Sequence, residues 1–323
     1  MQTFLANEEI RLDIFLAQHL KQSRNQVSLL IKNSLVKINN KIQNKTSFKL
    51  NLNDEICILK PKIKDIKEKQ EINFDLEILY EDDDLLVLNK TPNLVVHGAN
   101  SVKGPTLVDW LINKNFMLSN LGGQLRPGLI HRLDKDTSGA IVIAKNNFTH
   151  KNLSEQLFLK TMGRIYLALI DLPLKDSKII IEKALIRTPN NRIKKLAIDE
   201  KGILKIGAKS AKSAFISCLD CNDFALISAK LFTGRTHQIR AHLASINRHI
   251  LGDELYGFKG EKQRVMLHSY YVYFTHPRSK KEIFVKAPLM QDFKERLLKK
   301  FTLGEVHEKI TLDFLLSEFN SFS

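Results

Sequence analysis

The stretch GLIHRLDKDTSGAIVIAK, Gly128 to Lys145, places a carboxylate where it could do chemistry. Asp134 follows His131, Arg132 and Leu133 and precedes the turn-forming Thr137, Ser138 and Gly139. Ala140 to Ala144 is then a short apolar run rich in Ile and Val, which predicts a buried strand. A carboxylate on a turn that leads straight into a sheet core costs free energy unless something pairs with it. Such a group can act as nucleophile or as general base. The competing reading is a turn-capping aspartate with Asp136 as its solvated neighbour.

Metal and cofactor chemistry find less support. His237 and His242 are five residues apart, so they do not share a helix face as ligands at i, i+4 would. Together with His131 they read as packing or RNA contacts. Cys218 and Cys221 form a lone C-x-x-C with only Cys57 elsewhere, short of the four ligands of a structural zinc site. There is no dinucleotide fingerprint and no phosphate-binding loop. No metal and no cofactor is expected.

The polymer that such a carboxylate would act on is suggested by charge. The chain of 323 residues carries 50 Lys and Arg against 35 Asp and Glu, a formal net charge of +15. That excess points to a polyanion, nucleic acid or an anionic membrane surface. Membrane is the weaker option, because no apolar run approaches the roughly 18 residues needed to span a bilayer. Glu8, Glu9 and Asp13 interrupt the N-terminal segment, so it does not read as a signal peptide. Three cysteines, an odd number, fit a reducing cytoplasm. With 43% hydrophobic residues the length suits one large domain plus a small one.

The elements that must position Asp134 follow from periodicity. Residues 8 to 59 read as a compact basic module. Ile10 to Leu20 suits a short amphipathic helix, and Ser23 to Gln26 has the form of a capping box opening a second one. Val36 and Ile38 alternate up to a hairpin-like turn at Asn39, Asn40 and Lys41. Lys60 to Glu71 alternates Lys with acids around Pro61 and reads as a linker. Strands are expected at Leu76 to Tyr80, Leu85 to Leu88, Arg164 to Ile170, Phe215 to Ser217, Phe224 to Leu231 and Leu267 to Phe274. Helices are expected at Thr106 to Ile112, His150 to Leu159 and Thr236 to Ser245. Arg187 to Lys212 is a basic stretch that reads as a loop or ribbon lying on phosphates. Leu312, Leu315, Leu316 and Phe319 recur at helical spacing and predict a short tail helix docked on the body.

HRLDKDTSG resembles the signature of the RluA family of pseudouridine synthases, His-Arg-Leu-Asp, two variable residues, then Thr-Ser-Gly. Further blocks resemble the family's in order: ILYEDDDLLVLNK from Ile78, GRIYLALI from Gly163, LFTGRTHQIRAHL from Leu231, GDELYG from Gly252 and LHSYYVYFTHP from Leu267. Thr91 departs from the pattern by standing between Lys90 and Pro92. The small module is similar to the RNA-binding domain named after ribosomal protein S-four.

The resemblance implies an α+β fold with a mixed, mainly antiparallel central sheet and flanking helices and loops, plus a small N-terminal α/β RNA-binding domain. With the linker-like composition and the tail helix that lies outside the match, the chain is expected to divide into residues 1–65, a linker at 66–74, a catalytic domain at 75–301 and a helical tail at 302–323. The resemblance implies an isomerase that turns uridine into pseudouridine, with RNA as partner, large-subunit ribosomal RNA as the favoured target, no membrane, and a monomer in the cytoplasm. Asp134 falls on the catalytic carboxylate, Tyr166 on the tyrosine that stacks on the target base, and Arg240 on the arginine paired with the aspartate. Arg235 is a second candidate for that pairing. Arg132 would fill the stack vacated by the flipped base, and His131, Lys21, Arg24, Lys32 and Lys41 would contact RNA. Two other readings compete: an RNA-binding assembly factor with a dead catalytic domain, and a nucleoside hydrolase using Asp134 with Asp136.

Overall fold

The computed structural model describes residues 2–20, 24–32, 34–59, 72–98, 102, 104–123, 125–188, 191, 193–199 and 207–322. The chain divides into two compact units, Met1–Gln70 and Glu71–Ser323.

In the first unit two helices, α1 (Leu12–His19) and α2 (Arg24–Lys32), accompany a small antiparallel sheet. Its strands are β1 (Gln2–Leu5), β2 (Val36–Ile38), β3 (Lys41–Ile42) and β4 (Glu55–Ile58), in the order β1-β4-β2-β3. Leu12, Phe15, Leu16, Val27, Ile31, Val36 and Ile56 bury together, which is the helical and alternating pattern of the sequence made three-dimensional.

The second unit is built on one nine-stranded sheet. From its first edge run β5 (Glu77–Glu81), β6 (Leu85–Lys90) and β7 (Ser138–Ala144), then β14 (Leu267–Thr275). Beyond β14 lie β8 (Gly163–Ile170), β13 (Ala225–Leu231), β12 (Lys212–Asp220) and β9 (Lys178–Glu182), while β15 (Glu282–Lys286) pairs with the far end of β14. Every pairing is antiparallel except β7 with β14, which run parallel through His268–Ser138 and Ser269–Gly139. The fold class is therefore α+β with a mixed, mainly antiparallel sheet, as expected from the sequence.

The strand β7 is buried along its whole length because both sheet faces are covered. Ile141 and Ile143 join the larger core with Trp110 and Phe293, whereas Ala140 and Val142 join a second core with Leu153 and Phe274. Each fully buried Ile or Val contributes roughly 1.5–3 kcal/mol. The parallel step to β14 requires Gly139: φ is +105°, and a Cβ there would lie 2.3 Å from the Ser269 carbonyl oxygen.

The helices α3 (Leu107–Asn113), α4 (Asn147–Leu159) and α5 (Gln238–Ala244) pack around the sheet, followed by α6 (Gln291–Leu298), α7 (Leu303–Lys309) and α8 (Leu312–Asn320). Leu315 and Phe319 of α8 belong to the larger core. The basic stretch includes a two-stranded ribbon, β10 (Ala184–Arg187) with β11 (Lys195–Ile198); its Arg192, Lys201 and Lys205 lie outside the described residues. Among the described residues no helix is long and apolar enough to cross a membrane.

Candidate active site

Asp134 sits in the turn that feeds β7, closed by the Thr137 N–H donating to the Asp134 carbonyl at 3.2 Å. A buried lysine holds this turn from below. Lys90 ends β6 fully buried, and its Nζ donates to the carbonyls of Thr91 (2.7 Å), Leu94 (2.9 Å) and Lys135 (2.9 Å). Three ammonium protons meet three acceptors. Burial pulls its pKa down to about 7 against the opposing charges of Asp136 and Asp134.

The other wall comes from the loop before α5. Gln238 fastens that loop: its Oε1 accepts from Thr233 Oγ1 (2.7 Å) and the Arg235 N–H (3.0 Å), and its Nε2 donates to the Lys212 carbonyl (2.9 Å) and Ser213 Oγ (2.8 Å). Arg240, two residues later, is buried and gripped by Asp253 through Nε to Oδ2 and Nη2 to Oδ1, both 2.7 Å. Burial disfavours the guanidinium charge, but Asp253 outweighs it and raises the pKa. The guanidinium lies 5.0 Å from the centre of the Tyr256 ring, a cation–π contact.

The remaining Arg240 nitrogen, Nη1, stands 3.9 Å from Asp134 Oδ2. His237 Nε2 stands 3.9 Å from the same oxygen. These distances exceed a hydrogen bond, so in this arrangement Arg240 acts on Asp134 through its charge and not through a direct bond. Burial lowers the His237 pKa. Its Nδ1 is 3.2 Å from the Tyr256 hydroxyl, which accepts from the Lys195 N–H at 2.8 Å.

Asp134, Tyr166 and Arg240 line one narrow pocket of about 40 Å³, with Arg132, Arg164, Gly234, Arg235 and His237. Arg132 and Arg235 are the exposed cations of its lining. Burial raises the Tyr166 hydroxyl pKa, and the neighbouring Arg164 charge opposes that shift.

The structure thus brings together the three residues expected to carry the chemistry. Asp136 lines neither this pocket nor the larger cleft beside it, so the hydrolase pairing with Asp134 gains nothing from the geometry. Arg235 points its Nε at the Ser210 carbonyl (3.1 Å) and forms no ion pair with Asp134. His131 is taken up structurally, its Nε2 accepting the Val142 N–H at 3.0 Å. His242 is buried against Ser213 and Lys183, a packing role. In the first unit Lys32 and Lys41 are exposed. Arg24 instead donates to the buried Asp13 at 2.5 Å, and Lys21 lies outside the described residues.

Sequence reasoning gave no role to Lys90, His237 at the carboxylate, or Asp253. A lysine ending an otherwise apolar strand was the available signal for the first, and the acid within GDELYG for the last. No local signal marked His237 as a neighbour of Asp134.

Comparison with known proteins agrees with this architecture. The RNA pseudouridylate synthase family model matches residues 84–245, and the S4 domain model matches residues 10–56. A Helicobacter pylori protein named as an uncharacterized RNA pseudouridine synthase is 53% identical over 96% of this chain and 95% of its own length. A Zymomonas mobilis protein, named ribosomal large subunit pseudouridine synthase D, is 37% identical over 67% of this chain and 70% of its own. Human RNA pseudouridylate synthase domain containing 4 shares the fold with a TM-score of 0.53 at 21% identity, covering 69% of this chain and 92% of that one. The chain belongs to the RNA pseudouridine synthases, isomerases that act on RNA, and carries an S4 domain ahead of the catalytic fold.

Proposed function

We propose that Asp134 is the catalytic carboxylate of this isomerase and that its substrate is large-subunit ribosomal RNA. The observation that carries the first part is the convergence of Arg240 Nη1 and His237 Nε2 on one oxygen of Asp134, at 3.9 Å each, in a pocket shared with Tyr166. Arg240 and His237 both face Oδ2, so Oδ1 is the oxygen placed to attack the anomeric carbon, or to take the neighbouring ribose proton. The bond from the anomeric carbon to the uracil ring nitrogen breaks, the detached uracil turns, and the same carbon bonds to the ring carbon, which loses its proton as the freed nitrogen gains one. Tyr166 supports the base and assists loss of the ring-carbon proton. No water is consumed, so a second, water-activating carboxylate has no place in the reaction. The substrate part rests on the Zymomonas relative named for the large subunit and on the S4 domain.

Arg132, exposed beside Asp134, fills the stack left by the flipped uridine at a cost of a few kcal/mol for flipping. Arg235, with Lys32 and Lys41 of the first unit, meets phosphates. The test is a map of pseudouridines in ribosomal RNA from cells lacking the protein, complemented with wild type or Asp134→Asn. Expected is the loss of large-subunit pseudouridine, restored by wild type alone. Loss confined to another RNA would sink the substrate, and restoration by Asp134→Asn would sink the carboxylate.

A further inference from the structure

Beside the Asp134 pocket lies a larger cleft of about 430 Å³ that the reaction itself does not use. Its charged lining is one-sided: Arg126, Arg132, Lys160, Arg164 and Lys230, with no carboxylate among the described lining residues. Leu129, Leu157, Met162, Phe232 and Tyr273 give it an apolar wall. Cations and an apolar wall in one cleft suit a nucleotide, phosphate to the first and base to the second.

Arg164 is the residue that cleft and pocket share most deeply. Three Lys or Arg side chains are buried among the described residues, Lys90, Arg164 and Arg240. Lys90 has three carbonyls and Arg240 has Asp253. Arg164, 7% exposed, has no carboxylate partner among the described residues, and its Nε has no hydrogen-bond partner at all. The group against its guanidinium is the neutral Tyr166 hydroxyl. Asp134 lines the same pocket but forms no ion pair with it; a buried cation without a direct ion pair is costly, and an anion brought into contact would relieve that cost.

The position of Arg164 says which anion. It lines both cavities, together with Arg132, Leu231 and Gly234. Gly234 lies close over its guanidinium: a Cβ there would be 3.3 Å from Nη2 and 3.5 Å from Nη1. When uridine occupies the pocket and a neighbouring nucleotide the cleft, the phosphodiester that joins them must cross the place where the cavities meet. His131 also lines the cleft; the Val142 N–H occupies its Nε2, so the ring proton sits on Nδ1, which is buried without a partner.

We propose that this cleft is a subsite for the nucleotide next to the target uridine, and that Arg164 grips the phosphodiester joining the two. The inference rests on Asp134 marking the uridine pocket.

The test uses the full-length protein and a short single-stranded RNA with one uridine among adenosines. The phosphate on one side of the uridine, then the other, is replaced by an uncharged methylphosphonate, and affinity is measured without turnover. In wild type, one of the two replacements should weaken binding roughly 10-fold, the scale of one charge-assisted hydrogen bond. In Arg164→Met the same replacement should cost less than about 2-fold, because both changes remove the same interaction. Arg164→Lys should lie between them. Wild-type effects below about 2-fold at both positions would overturn the proposal, and they need no variant to fold. An undiminished effect in Arg164→Met would overturn it too, leaving Arg164 as a companion of Tyr166 only. Because affinity is read without turnover, failure of the chemical role of Asp134, which shows only in turnover, is distinguishable from failure of this subsite.

Discussion

Asp253 holds one edge of the Arg240 guanidinium with two hydrogen bonds of 2.7 Å and leaves the other edge to Asp134. The nitrogen left over reaches Asp134 at 3.9 Å. The arginine is thus positioned by a partner that never touches the reacting group, and stability and activity become separable. Asp253→Asn leaves a buried guanidinium half-paired and should cost roughly 3 kcal/mol or more. The double variant Arg240→Met, Asp253→Leu should regain most of that stability, since an apolar pair of similar volume replaces a buried ion pair at little cost. It should remain inactive. Thermal denaturation together with a turnover assay checks both halves, and recovery of activity in the double variant would remove Arg240 from the mechanism.

The exposed cations of the first unit should act through salt. Replacing Lys32 and Lys41 with Ala should lower the slope of log affinity against log salt by about 0.7–0.9 for each phosphate that is no longer neutralised. The single-turnover rate at saturation should be unchanged. Arg24→Ala should differ. Burial pushes the Asp13 carboxyl up, but Arg24 and Arg11 outweigh burial and hold it below the usual range. Removing Arg24 therefore destabilises the unit as well. Affinity at several salt concentrations and a melting curve separate the two kinds of residue.

Acid should weaken the catalytic unit through buried neutral histidines. Burial brings the pKa of His242 and of His268 down to about 4, while an unfolded histidine titrates near 6.5. Between about 6.5 and 4 the unfolded chain binds more protons, so stability falls as pH falls, by up to about 1.4 kcal/mol per pH unit for each histidine. His242→Gln should lower overall stability yet show a shallower decline across this window. An identical slope in wild type and variant would show that His242 is not neutral in the folded chain.

Much of this arrangement is legible in the sequence because it is local. The apolar run from Ala140 to Ala144 announces β7, and the Thr-Ser-Gly turn before it places Asp134 at its mouth. Gln238 and Arg240 are two apart on one short helix, so one motif carries both the fastening of the loop and the cation. What is not legible depends on distant pairing. Lys90 reaches the Lys135 carbonyl 45 positions away. The parallel step from Gly139 to Ser269 joins segments 130 positions apart (269 − 139). His237 looks like one of several histidines until its left-handed backbone, φ 58°, turns its ring toward Asp134. Arg164 reads as an ordinary strand-end cation until the sheet buries it without an ion pair among the described residues.

The most direct measurement is tritium release from RNA labelled at the uracil ring carbon, comparing wild type, Asp134→Asn and Asp136→Asn at equal RNA occupancy. The amide matches the carboxylate in size but cannot serve as nucleophile or base. Expected is near-wild-type RNA affinity with turnover below about one hundredth for Asp134→Asn, and a mild effect for Asp136→Asn, with no free uracil from wild type. Residual turnover in Asp134→Asn well above that level, or a collapse confined to Asp136→Asn, would contradict the assignment of Asp134 as the catalytic carboxylate.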